Sequence, residues 1–176
     1  MKFNVREKRH RLPRETYRGQ VTVPVTACIE GKSTPFADEG IVKQFLEFLH
    51  SAMVKHNCIA FIYCFMPDHL HLVLHGQDAN ADVWRAMVSF KQQSGYWFRR
   101  HRPEFAWQKD FYDHIIRADE DLGAQIRYVA DNPVRKGIVK LWSEYPFTGA
   151  IGIDIKTVMQ DASTMSPHAL ACAFHL

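Results

Sequence analysis

His69 and His71 flank Leu70 directly after the chain break Met66-Pro67-Asp68. Proline has no backbone N–H and pushes the residue before it toward extended geometry, so Phe65 to Leu74 reads as a turn followed by a strand. Along that strand Leu70, Leu72 and Leu74 point one way, and His69, His71, Val73 and His75 point the other. Two imidazoles two residues apart on one strand face can converge on a single metal ion, while the leucines opposite anchor the strand in a core. The same alternation also describes an ordinary solvent-facing strand, and His-x-His alone does not choose between the two. No Cys and His set at finger-like spacing accompanies the pair, so a metal bound here would occupy an open, working site.

A partner for that strand comes from Asp121 to Asn132. At about 100° per residue, Leu122, Ile126 and Val129 form one narrow stripe, the core face of a helix. Tyr128 lies about 120° from Leu122 on the same wheel, and Asn132 follows one turn later. A phenol at the margin of the packed face, with an amide four residues on, can be presented to the histidine strand. The plainer alternative is a boundary tyrosine covering the core edge, with Asn132 ending the helix before Pro133.

The elements that must hold these residues follow from periodicity. Gln20–Cys28 alternates and is rich in Val and Thr, a strand whose Pro24 suggests an edge position or a bulge. Asp38–His56 has helical spacing with Asp38 as cap. Cys58–Phe65 is a continuous apolar run, a strand buried on both faces. A long helix spans Ala81 to about Arg102, Phe111–Ile116 is a further strand, and Asp119 is expected to cap the tyrosine helix. Residues 133–150 read as an extended wrap, and the segment from Ile151 onward has no clear placement. The βαββαβ series predicts an α+β, ferredoxin-like antiparallel sheet with an additional C-terminal tyrosine-bearing helix on the face away from the first two helices. The expected division is a basic N-terminal arm (1–18), a main domain (19–150) and a C-terminal tail (151–176).

With 176 residues, 47% hydrophobic, the chain suffices for a single core. It has no apolar stretch long enough to cross a bilayer and no secretory leader, which points to the cytoplasm. Cys28, Cys58, Cys64 and Cys172 include no C-x-x-C pair and read as reduced thiols. The net charge is only +3, but its distribution is uneven. One basic cluster is the N-terminal arm, including Arg11 and Arg14. Another, Lys91, Arg99, Arg100, Arg102 and Lys109, is interleaved with Phe90, Tyr96, Trp97, Phe98 and Trp107. Cations that neutralise phosphates and rings that stack on bases suit a nucleic-acid strand. Core aromatics beneath a solvated helix face would give the same composition.

Met66-Pro67-Asp68-His69-Leu70-His71 resembles the HUH motif of single-tyrosine transposases, most closely the REP-associated tyrosine transposases. Leu12-Pro13 and the following strand resemble the family's start, and the resemblance continues through Trp107–Arg117, Tyr128–Val139 and Trp142–Phe147, so it spans roughly residues 10–150. It implies that His69 and His71 bind a divalent cation, Mg²⁺ or Mn²⁺, with Asn132 as third ligand. It implies Tyr128 as nucleophile, ahead of Tyr112 and Tyr96, which lack an asparagine in register. It further implies a transposase-like endonuclease and strand transferase on single-stranded, hairpin-containing DNA, working through a covalent 5′-phosphotyrosine. Lys91, Arg99, Arg100, Arg11 and Arg14 are the expected DNA contacts, with monomer and homodimer both open. Three rivals stand beside this reading: a non-cleaving DNA-binding or regulatory protein on the same fold, a relaxase-type nickase, and a metal hydrolase using His69, His71 and His75.

Overall fold

The computed structural model describes residues 12–116 and 121–164. Strand β1 (Thr22–Cys28) alternates between half-buried and buried positions. Strand β2 (Cys58–Met66) is buried at every position but Tyr63, as an apolar run covered on both faces must be. Strand β3 (His69–Gly76) lies between them, with β1 antiparallel on one side and β2 antiparallel on the other. The short strands β4 (Tyr112–Asp113) and β5 (Thr148–Ile151) complete one sheet in the order β4–β1–β3–β2–β5. Its first four strands have the ferredoxin-like order, and β5 extends the edge beyond β2.

Helices α1 (Glu39–Lys55) and α2 (Val83–His101) cover the leucine face. There Leu70, Leu72 and Leu74 pack in one buried cluster with Phe45, Leu49, Met87, Phe90 and Phe98. Burial of each such side chain contributes about 1.5–3 kcal/mol, so this layer carries much of the stability. Asp38 caps α1 as its sequence position predicts, accepting from the N–H groups of Gly40 (2.8 Å) and Ile41 (3.4 Å). The opposite face carries a second cluster, in which Ile62, Cys64, Met66 and Val73 meet Leu122, Ile126 and Val129 of α3 (Leu122–Ala130). The tyrosine helix therefore lies on the histidine side of the sheet.

Pro24 lies neither on the sheet edge nor in a bulge. Its register with β3 is unbroken, Pro24 opposite Val73, and the irregularity falls in β2 between Ala60 and Ile62. On the other side β1 pairs with β4 only at Val25 and Thr26, and the next bond runs from the Ile116 N–H to the Thr22 carbonyl (2.9 Å). In that register Pro24 faces His114 at a hydrogen-bonded position, where it has no N–H to give. The expected strand Phe111–Ile116 is accordingly cut to two residues.

Three further expectations change. Asp119 lies outside the described residues, and the cap of α3 is Asp121, which accepts from the Ala124 N–H at 2.9 Å. Residues 133–150 are not a simple extended wrap. A short helix α4 (Asn132–Arg135) takes Pro133 in its first turn, where a missing N–H costs nothing. A 3₁₀ turn at Trp142–Glu144 and strand β5 follow. Tyr145 ties this segment down by donating its hydroxyl to the Phe65 carbonyl at 2.7 Å. Beyond it, helix α5 (Ile155–Thr164) packs Val158 and Ala162 into the second cluster, against the tyrosine helix. Arg127 of α3 donates to the Ala162 carbonyl, joining the two helices.

Candidate active site

The break at Pro67 sets where β3 begins, and the pleat then turns His69 and His71 to the face shared with α3. Their Nε2 atoms approach to 3.0 Å. Each ring is held from its other nitrogen. His69 Nδ1 meets the Asp68 carboxylate at 2.5 Å, and His71 Nδ1 meets the Thr26 hydroxyl at 2.9 Å. Thr26 stands directly opposite His71 in the β1–β3 register. In the tautomer that donates Nδ1–H outward from both rings, both Nε2 lone pairs would face the gap, the arrangement a shared cation requires. Ligating imidazoles are ordinarily oriented in this way by an outer carboxylate or hydroxyl.

Burial pushes His71 down to about 4, aided by the neighbouring His69 and the charge of Arg135 and opposed by Asp68. His71 is therefore neutral near pH 7 and has a lone pair to offer. Two nitrogens bound at right angles, each about 2.1 Å from a metal, sit about 3.0 Å apart, which matches the observed spacing. Among the described residues no group of three His, Cys, Asp or Glu side chains gathers. From the described residues, a further ligand would come from an amide, with water or a substrate oxygen completing the set.

Tyr128 faces this pair from α3. Its ring stands edge-on to His71, with centroids 6.2 Å apart and planes at 80°. It is 49% exposed, so a phenol next to the imidazoles is also open to a macromolecular substrate. Asn132 is buried and donates its Nδ2 to the Tyr128 carbonyl at 2.9 Å. That bond bridges the step from α3 to α4 and leaves the amide oxygen as the atom a cation would take. Arg135 lies beyond, its guanidinium carbon 4.6 Å from the centre of the Tyr128 ring.

Other expected residues fall elsewhere. His75 shares the histidine face but lies four residues past His71, about 13 Å along the strand. It is buried, stacked on Phe61 and bonded to Thr22, which removes the basis for a three-histidine site. Tyr112 sits on β4 two strands from His71, and Tyr96 on α2 across the sheet. Lys91, expected at phosphates, instead donates its ammonium to the carbonyls of Gln108, Lys109 and Asp110 at 2.7, 3.3 and 3.2 Å. Arg99 and Arg100 are exposed on the last turn of α2, on the far side of the sheet from the histidines. The aromatics interleaved with them are mostly core: Phe90, Phe98 and Trp107 are buried. Arg14 is exposed and lines a surface hollow with Arg18, Arg85 and Trp84. Arg11 lies outside the described residues.

Sequence reasoning missed Thr26, Asp68 and Arg135 as parts of this site. Thr26 is legible only from strand register. Asp68 adjoins the motif, and Arg135 completes an i, i+4, i+7 series with Tyr128 and Asn132 that places all three on one helical stripe.

The fold and site define a class: a ferredoxin-like α+β domain whose His-x-His strand faces a tyrosine on a separate helix. Residues 19–132, well over half of the chain, match the family described as Transposase IS200 like, and the chain belongs to that family. It is 30% identical over 87 residues to a REP-associated tyrosine transposase of Escherichia coli, covering 47% of this chain and 48% of the relative. It is 27% identical over 97 residues to a Haemophilus influenzae protein provisionally given the same name, covering 48% and 54%. The chain thus spans about half the length of the curated relatives it matches. A solved structure of a REP-associated tyrosine transposase bound to a REP hairpin aligns with a TM-score of 0.65 at 19% identity, over 81% of this chain and 82% of that one. At that identity the likeness shows the shared fold. Among the described residues no helix is long and apolar enough to cross a membrane.

Proposed function

We propose that this chain is a metal-dependent, single-strand DNA endonuclease and strand transferase that uses Tyr128 as its nucleophile. The observation that carries this reading is the Tyr128 ring set edge-on to His71 while the two imidazole Nε2 atoms converge. His69, His71 and the Asn132 amide oxygen would hold Mg²⁺ or Mn²⁺. When bound, such a cation acts as a Lewis acid on a phosphodiester oxygen. An imidazole-rich set favours Mn²⁺ at least as well as Mg²⁺.

In the step itself the Tyr128 oxygen attacks phosphorus in line. The Tyr128 Oη–P bond forms, the P–O3′ bond breaks, and the phenol proton leaves to solvent as the 3′-oxygen gains one. The product is a 5′-phosphotyrosine and a free 3′-OH. The ester bond is conserved in the adduct, so a second 3′-OH can reverse the step and complete strand transfer without a nucleotide cofactor. Thr26 and Asp68 keep the imidazoles aimed, and Asn132 holds the end of the tyrosine helix.

The substrate class is single-stranded DNA beside a hairpin; in support, the similar solved transposase is bound to a REP hairpin. Exposed Arg14, Arg99 and Arg100 would contact backbone phosphates, with Arg11 joining from the arm. Lys91 is better assigned to holding the loop at 108–110. We place the catalytic unit within residues 19–150, its action in the cytoplasm, and leave homodimer formation to be measured. The test is to mix the protein with labelled single-stranded oligonucleotides from the repeats flanking its gene, with Mn²⁺ or Mg²⁺. An SDS-resistant adduct that needs metal and vanishes in Tyr128→Phe supports the reading. Tight binding with no adduct would favour the non-cleaving DNA-binding alternative.

A further inference from the structure

Arg135 is not required to explain the fold. It is exposed, and among the described residues no carboxylate pairs with it. Its guanidinium carbon lies over the Tyr128 ring, 4.6 Å from the ring centre. Tyr128 in turn stands edge-on to His71, ring centroids 6.2 Å apart. The guanidinium therefore lies on the ring of the phenol that faces His71. Holding an arginine on a helix stripe with no acidic partner leaves its five donors available to something from outside the protein.

We infer that Arg135 is a substrate-contacting residue of this site, whose guanidinium grips the non-bridging oxygens of the phosphodiester that Tyr128 attacks. This rests on the proposed role of Tyr128. The chemistry fits the group: a planar, always charged fork matches phosphate oxygens with two parallel hydrogen bonds. As the Tyr128 Oη–P bond forms and the P–O3′ bond breaks, negative charge gathers on those oxygens, and a fixed cation binds them more tightly then than in the ground state. Stacking on the Tyr128 ring keeps the head group at the point of attack. The short helix α4 sets its spacing: Asn132 and Arg135 follow Tyr128 at one and two turns, so the amide and the guanidinium approach the gap from the same side.

The test compares adduct formation on a hairpin-bearing single-stranded oligonucleotide with Mn²⁺ for the wild-type chain, Tyr128→Phe, Arg135→Gln and Arg135→Ala. The inference expects Arg135→Gln to slow adduct formation about 100-fold or more, with oligonucleotide affinity changed much less and thermal melting unchanged. It also expects added guanidinium ion to restore part of the rate in Arg135→Ala and none in Tyr128→Phe, a rescue that a purely structural role would not show. Adduct formation by Arg135→Gln within about threefold of wild type overturns the inference while leaving Tyr128 as nucleophile. A slow Arg135→Ala variant that guanidinium does not rescue and that melts at lower temperature also overturns it, assigning Arg135 to packing. If wild type and Tyr128→Phe behave alike, the reading of the site itself falls, and this inference with it.

Discussion

The two faces of β3 serve different ends. On one, Leu70, Leu72 and Leu74 are fully buried beneath α1 and α2. On the other, His69 and His71 are half-buried, held by Asp68 and Thr26 and faced by a half-exposed tyrosine. The pleat alternates every residue, so one eight-residue strand supplies a dry anchor and a polar site without either disturbing the other. The apolar face should be sensitive to lost volume, and the polar face to a lost donor or lone pair.

The sharpest way to break this comparison is Tyr128→Phe. It should abolish adduct formation while shifting stability by no more than about 0.5 kcal/mol, because the hydroxyl sits on a half-exposed ring. A large loss of stability in denaturant unfolding would show that the two faces are not separable. Leu72→Ala tests the other face. It should cost about 2–5 kcal/mol by denaturant unfolding, and the residual folded protein should still bind metal. Thr26→Val probes the polar support. Removing the hydroxyl from His71 Nδ1 should weaken Mn²⁺ binding about 10–100-fold by calorimetric titration, with the sheet intact. Equal affinity would mean that the hydroxyl does not orient the ring.

The smallest expected effect concerns thiols. Burial pushes Cys58 from about 9 up to about 12 and Cys64 up to about 11. Cys28, half-buried beside the histidine strand, is also raised. The folded state keeps protons on Cys58 and Cys64 that the unfolded chain loses first, so their contribution to stability is present below about pH 9 and is lost as pH climbs toward 11–12. Iodoacetamide at pH 8 should label Cys28 on the native protein and reach Cys58 and Cys64 only on unfolding, read by peptide mass. Labelling of Cys64 on the native chain would show that the histidine face opens more readily than the leucine face.

Much of this was legible beforehand, for identifiable reasons. Asp38 as a cap, the leucine alternation of β3 and the apolar run of β2 are local or short-period signals, and each appears in the fold. The ferredoxin-like order followed from the element sequence, and the stripe Leu122, Ile126 and Val129 correctly put the tyrosine helix on its core. Local pattern falls short where a partner outside the segment decides. Pro24 truncated a strand ninety residues away by withholding one N–H. Lys91 was drawn to three carbonyls of a loop that helical spacing does not reveal. Phe90 and Phe98 of α2 went to the core because that face meets β3 and α1, while Tyr96 stayed exposed.

By itself, the sequence determined which residue types alternate, which helix faces are apolar and that a phenol and an amide share one stripe. These depend on backbone periods of 2 and 3.6, which act over a few residues. Only the tertiary structure decided that Thr26 stands opposite His71, that Tyr128 faces His71 and that α5 braces the tyrosine helix. Those contacts depend on strand register and on how layers stack. Register and stacking are set by the burial of whole clusters rather than by any single residue's preference.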